Sequence, residues 1–267
     1  MQSIEAILSI KMNKYSVFGL NYYATDYEQA SDFIIEQAKK RKSFTVASLP
    51  VHGLIEAHWS ESFRHTANNI DFLVPDGAPI VWALNRMYKL NLKDRVNGID
   101  LSLHVLDKAG KNNLKIFLYG SYEDTINKFA QFINLQYPGV IICGKHPDRF
   151  REATEDEDKK DIEMINDSMA NLVLVGRGCP RQEYWVASHK NKINSVMIGI
   201  GGAFDIHSQK IQRAPKWMRD HSLEWFFRFL QEPKRLWKRY LFTNTTFMLL
   251  VLKYYMKKPF VKNKSVT

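Results

Sequence analysis

An α/β fold on a largely parallel sheet is what this sequence predicts, and two observations predict it. Across the first two-thirds of the chain, short apolar runs alternate with longer amphipathic stretches, the pattern of strands joined by helical crossovers. Several of those runs lead directly into glycine, proline and charged residues, which is where a parallel sheet carries its ligand-binding loops. A chain of 267 residues with 45% hydrophobic content has enough apolar side chain to bury such a core.

Taken in order, strands are expected over 15–20, 43–48, 70–74, 115–119, 140–143, 172–175 and 195–200. The first helix is expected to start at Thr25, with Glu28 at capping-box spacing and Ala30, Phe33, Ile34 and Ala38 on one face. Further helices fit 50–67, 79–88, 101–109, 123–136, 155–169 and 181–190, and the charged run 152–160 suits a loop entering a solvated helix. After Ile211 the alternation stops and a Trp/Phe/Tyr/Arg/Lys-rich helical tail begins, dividing a core of 1–211 from an appendage of 212–267.

The formal charge of +10 calls for an acidic partner, and the excess is concentrated in the tail, from Lys210 to Lys264. Cys143 and Cys179 stand in no metal or redox spacing. The first dozen residues lack the pattern of a secretory signal, and no apolar run reaches the roughly 18 residues of a membrane span. A cytoplasmic location follows as the expectation.

Four segments could carry chemistry. Val74-Pro75-Asp76-Gly77 ends a strand and is either an ordinary turn or a way to leave the Asp76 carboxylate at a strand tip, able to take a proton from a hydroxyl. Arg95-Val96-Asn97-Gly98-Ile99-Asp100 suits an anion or a hydroxyl-rich ligand, and equally a loop entering a helix. In the segment from Val175 to Glu183, Gly176 and Gly178 allow close backbone approach. Pro180 opens a helix whose start attracts phosphate, and Gln182 and Glu183 can bond a base or sugar. The segment from Ile198 to Asp205, containing Gly202, again runs from a strand into glycines and an acid, in neither Walker nor dinucleotide spacing.

In this order the residues resemble the WecG/TagA/CpsF glycosyltransferase family. The resemblance rests on LVPDGAPIVWA at 73–83, RVNGIDL at 95–101, IFLYGS at 116–121, VGRGCPRQEYW at 175–185, IGIGGAFD at 198–205, RAPKW at 213–217 and LEWFFRFLQEPKRLWKRY at 223–240. It implies a Rossmann-like core using a UDP-sugar without a bound metal, and a C-terminal helical, membrane-associating appendage that closes over the site. It makes Asp76 the general base, associates Gln182 and Asp205 with the donor, and lines the pocket with Arg95. Ser48 stands where relatives usually carry Thr and Pro50 where they usually carry Asn, so the hydroxyl survives and the amide does not. His52 is positioned to compensate. Ser208-Gln209 departs from the usual Ala-Gly, so the transferred sugar is not fixed by the N-acetylmannosaminyl members. Glucosyl and uronosyl transfer also occur in the family.

Such a transfer needs a base, positive charge for the departing diphosphate, and exclusion of water. With no Asp-x-Asp pair in a suitable loop, arginine has to replace a metal. Arg228, Arg235 and Arg239 are spaced seven and four apart, on one face if the helix is continuous, although Pro233 is placed to divide it. The run 247–255 (FMLLVLKYY), flanked by lysines, suits an interfacial helix on anionic lipid. The expected reaction is inverting transfer from a UDP-sugar to a polyprenyl-diphosphate-linked saccharide in surface or exopolysaccharide assembly, at the inner face of the plasma membrane. The expected partners are those two substrates and an anionic membrane surface, with self-association compatible with such a tail. A silent scaffold binding the UDP-sugar or lipid carrier is the alternative. Nucleic acid is excluded, because no recognition motif and no basic face on the core is present.

Overall fold

The computed structural model describes residues 12–257, so Lys258, Lys262 and Lys264 of the basic tail and the first eleven residues lie outside the described residues. The main sheet has six strands: β3 (Phe44–Leu49), β4 (Phe72–Pro75), β5 (Lys115–Gly120), β6 (Ile141–His146), β7 (Leu172–Gly176) and β8 (Val196–Gly199). All of its pairings are parallel and its order is β4-β3-β8-β7-β5-β6, a Rossmann-like α/β arrangement with helices on both faces.

Alternation along the strands divides the core. Val46, Phe72, Val74, Ile116, Leu118, Leu174 and Ile198 point to one face. There they meet α1 (Tyr27–Lys40), α5 (Gly98–Lys111), α6 (Glu123–Gln136) and the short α9 (Ala203–His207). On the other face, Ala47, Leu49 and Leu73 pack with α2 (Val51–Trp59), α3 (Glu61–Asn68) and α4 (Ala78–Tyr88). Phe117, Tyr119, Val173, Val175 and Met197 pack there with Ile165 of α7 (Glu155–Asp167) and Trp185 and Val186 of α8 (Arg181–Ser188). Neighbouring β3 and β8 therefore send the chain to opposite faces, β3 into α2 and β8 into α9. A crevice opens beyond the carboxyl ends of strands where connections diverge in this way.

Three expectations are corrected. The run 15–20 is not one strand: Phe18 (φ 47°) and Gly19 (φ 97°) reverse the chain, and β1 (Lys14–Val17) and β2 (Leu20–Tyr23) form a separate antiparallel hairpin. Asp26, not Thr25, caps α1: its Oδ1 accepts the Gln29 amide at 2.9 Å. The stretch 50–67 is two helices, because Ser60 is extended (φ −117°, ψ 112°) and its hydroxyl accepts the Phe63 amide to start α3.

The tail forms α10 (Lys216–Asp220), α11 (Glu224–Gln231) and α12 (Pro233–Lys257). Pro233 separates the last two. α12 packs against α2, and Phe247 is buried with the α2–α4 core, 5.9 Å from the Phe18 ring. The run 247–255 is therefore two-sided. Leu250 and Val251 pack inward, while Met248, Leu249 and Leu252 face outward.

Candidate active site

Asp76 sits directly after β4. Its amide donates to the Leu49 carbonyl at 3.4 Å, and the Val96 amide donates to the Pro75 carbonyl at 2.8 Å. Gly77, at φ 85° and ψ 144°, turns the chain into α4, a conformation that costs glycine little. The carboxylate is thus left at a strand tip beside a helix N-terminus. Burial pushes its carboxyl up to about 7. Arg95 opposes that shift, Glu224 adds to it, and the Ser48 hydroxyl and Arg228 oppose it. A group poised near neutrality suits proton transfer.

Around it the predicted residues divide by strand. At the end of β3, buried Ser48 donates its hydroxyl to the Val96 carbonyl at 2.8 Å, bracing the segment that follows Arg95. His52, in the first turn of α2, has its pKa lowered to about 4 by burial and by Arg239, so it is neutral at physiological pH. Its Nδ1 is buried without a hydrogen bond. Arg95 is buried and pairs with Glu224 of α11 at 3.0 Å. The 95–100 segment enters α5 through Asn97, whose side chain caps Asp100 and bonds the Tyr27 hydroxyl at 2.6 Å.

At β7, Gly178 (φ 74°) lies on an open loop, while Gln182 and Glu183 are buried beneath it. Gln182 Nε2 donates to Glu183 Oε1 at 2.8 Å, whereas Gln182 Oε1 and Glu183 Oε2 have no partner. A Cβ on Gly201 would come within 3.1 Å of that Gln182 carbonyl oxygen, so the orphaned acceptor faces the β8 loop. Burial raises the Glu183 carboxyl to about 7 against hydrogen bonds from Gln182 and Cys179. The neighbouring arginines are engaged elsewhere: Arg177 and Arg181 both grip Asp148, at 3.1 Å each.

At β8, a Cβ on Gly202 would lie 3.3 Å from a guanidinium nitrogen of Arg228, so the tail comes close to this loop. Asp205 lies in α9 and pairs with Lys210 at 3.6 Å. An open cavity of about 400 Å³ adjoins it, lined by Tyr122, Thr125, Lys128, Ser208 and Lys210 among others. That cavity lies between the start of α6 and the segment after α9, and not over Asp76, where α11 crosses.

The break at Pro233 separates the three tail arginines. Arg228 approaches Gly202, Arg239 lies close enough to His52 and Cys179 to shift both, and exposed Arg235 donates to Glu232 at 2.8 Å. Two of the three therefore face the crevice. Sequence reasoning missed Glu224 and Asp148, and it gave Asn97 and Cys179 no role of their own within the segments it singled out. Glu224 lies inside the LEWFFRF block, but no spacing rule ties it to Arg95, 129 residues away.

The family model described as "Glycosyl transferase WecG/TagA/CpsF family" matches residues 15–260. Three similar proteins all carry the name N-acetylglucosaminyldiphosphoundecaprenol N-acetyl-beta-D-mannosaminyltransferase. The one from Bacillus subtilis strain 168 is 35% identical over 184 residues, 68% of this chain and 69% of its own. That of Bacillus spizizenii strain W23 is 29% identical over 204 residues, 76% of each. That of Staphylococcus aureus strain MW2 is 27% identical over 210 residues, 78% of this chain and 80% of its own.

Proposed function

This chain belongs to the WecG/TagA/CpsF family of glycosyl transferases, and from that premise we propose that it moves a hexose, N-acetylhexosamine or uronic acid from a UDP-sugar to a polyprenyl-diphosphate-linked saccharide. The names of its relatives support the lipid-linked acceptor. The observation that carries the reading is Asp76: a carboxyl brought to about 7 at a strand tip, with Arg95 and Arg228 close enough to act on it.

In this mechanism Asp76 accepts the proton of the acceptor hydroxyl as that oxygen attacks the anomeric carbon. The bond from the anomeric carbon to the diphosphate oxygen breaks on the opposite face, which inverts the centre. UDP leaves with the electron pair, and Arg228 and Arg239 supply the countercharge expected of a metal elsewhere. Gln182, Glu183, Gly178, Gly202 and Asp205 contribute the donor side, and Ser48, His52 and Arg95 border the base. Arg235, held by Glu232, is available to the diphosphate of the acceptor at the outer rim.

Peripheral attachment to the inner membrane face is part of the same reading. No helix among the described residues is long and apolar enough to cross a membrane. Trp225, Phe226, Leu230, Leu241, Phe242 and Leu249 nonetheless expose their side chains on α11 and α12, among arginines and lysines.

The deciding experiment offers a panel of UDP-sugars with a polyprenyl-diphosphate-linked acceptor and follows UDP release and lipid-product mass, with EDTA present and absent. One sugar should be transferred at the same rate in both. Asp76→Asn should lower turnover by about two orders of magnitude or more while UDP still binds. Unchanged turnover in that variant removes Asp76 from the mechanism, loss of activity restored by added metal overturns the arginine account, and UDP binding without transfer of any sugar leaves the silent scaffold.

A further inference from the structure

We propose that Glu224 is a positioning residue: by gripping Arg95 it seats α11 across the crevice and so places Arg228, one helical turn on, against the Gly202 loop. The inference rests on the glycosyl-transfer reading for what α11 covers, and on geometry alone for the grip.

Glu224 and Arg228 are four residues apart in α11, so their side chains rise from one face of the helix. One meets Arg95, in the segment bonded to the end of β4, at 3.0 Å. The other meets Gly202, just beyond β8. In the sheet order β4-β3-β8 these anchor points flank β3, whose end carries Ser48. The helix thus bridges the divergence point where the crevice lies.

Apolar packing holds it only in part, with Phe227 and Phe229 half-buried. A surface helix ordinarily buries an apolar stripe, but no residue of α11 is buried, and Trp225, Phe226 and Leu230 are exposed. Its other contacts include ring contacts of Trp225 and Phe229 with Tyr240, and a Gln231 bond to the Gln212 carbonyl at 3.1 Å. The ion pair is different in kind. The side chains of Arg95 and Glu224 retain only 10% and 13% of their exposure. Removing one partner of a shielded pair leaves the other charge uncompensated, a far larger loss than at the surface.

The same grip sets the charge around the base. Asp76 is faced by Arg95, Ser48, Tyr22 and Tyr27 from the core, and by Glu224 and Arg228 from the tail. Glu224 is the negative member of the tail's contribution. Without its charge, Arg95, which the core holds in place and which is the largest charge acting on Asp76, loses its opposing carboxylate, and the ionised form of Asp76 is favoured against the burial that raises it.

Glu224→Gln, nearly isosteric and uncharged, tests this with two measurements on the full chain. Hydrogen exchange of the 224–231 amides should quicken by about fivefold or more while the sheet is unchanged. The acid limb of the pH dependence of UDP release should move to lower pH by about half a unit or more. Glu224→Asp, which keeps the charge, should return the limb towards its original position, an outcome that a merely structural residue does not produce. Exchange over 224–231 within about twofold of the parent in both variants overturns the grip, and an unmoved acid limb in Glu224→Gln overturns the role at Asp76. The exchange measurement needs no turnover, so failure of the latch is distinguishable from failure of the glycosyl-transfer reading.

Discussion

Asp76 and Glu183 are both buried carboxyls brought to about 7, yet they lead to different predictions. In the proposed role of base Asp76 must be ionised, so the rate should climb as pH rises through about 7 and level off above it. Glu183 bears on stability. Its folded value lies above the ordinary 4.5, so the folded chain holds a proton that the unfolded chain releases. Its contribution is complete below about 4.5 and is lost as pH rises through about 7. Glu183→Gln should therefore flatten the fall in stability between pH 5 and pH 8, by on the order of 1 kcal/mol. Denaturant melts at the two pH values check it, and an unaltered difference shows that Glu183 is not charging in that window. Much of this scale was legible, because a strand, a proline, an acid and a glycine in succession announce a carboxylate at a strand tip. Glu224 and Asp148 were not legible. Their roles come from arginines 129 and 29 residues away, and no local pattern encodes such a meeting.

The elements followed the sequence where one periodicity ran unbroken, as in α6, which spans the expected 123–136. They departed where one residue changes backbone direction: Gly19 made a hairpin of an apparent strand, and Ser60 made two helices of one. α12 illustrates a subtler limit. Its run FMLLVLKYY is apolar enough to conceal which side docks, and only packing reveals that Phe247 is buried while Leu249 and Leu252 are 59% and 56% exposed. That division makes a clean test of membrane contact. Truncating the tail would remove Phe247 from the core, whereas Leu249→Ser with Leu252→Ser alters only the outward side. The double variant should keep its fold and lose about thirtyfold or more of its affinity for anionic liposomes in sedimentation, because each of the two side chains withdrawn from the interface forfeits roughly 1 kcal/mol or more. Full retention with an unchanged melting temperature places membrane contact elsewhere.

At the scale of the whole molecule, the order β4-β3-β8-β7-β5-β6 brings residues from 48, 76, 182 and 202 to one edge. The alternation of strands and helices foretold a parallel sheet but not that order, which depends on pairings such as β3 with β8, some 150 residues apart in the chain. The tail then adds a cationic wall from outside the sheet. If the crevice binds the donor through this joint surface, UDP should stabilise the fold by mass action, about 2.7 kcal/mol at a hundredfold excess over Kd. The same stabilisation should persist in Asp76→Asn, whose change concerns the acceptor proton, when that variant is compared at an equal multiple of Kd. Arg228→Ala with Arg239→Ala should raise Kd for UDP by about tenfold or more, since charge-assisted contacts to phosphate are among the stronger hydrogen bonds. At a fixed UDP concentration that variant should therefore show a visibly smaller rise in melting temperature. An equal rise in the double variant and the parent would mean that the diphosphate is held by the core loops alone, and that the tail serves only to cover them.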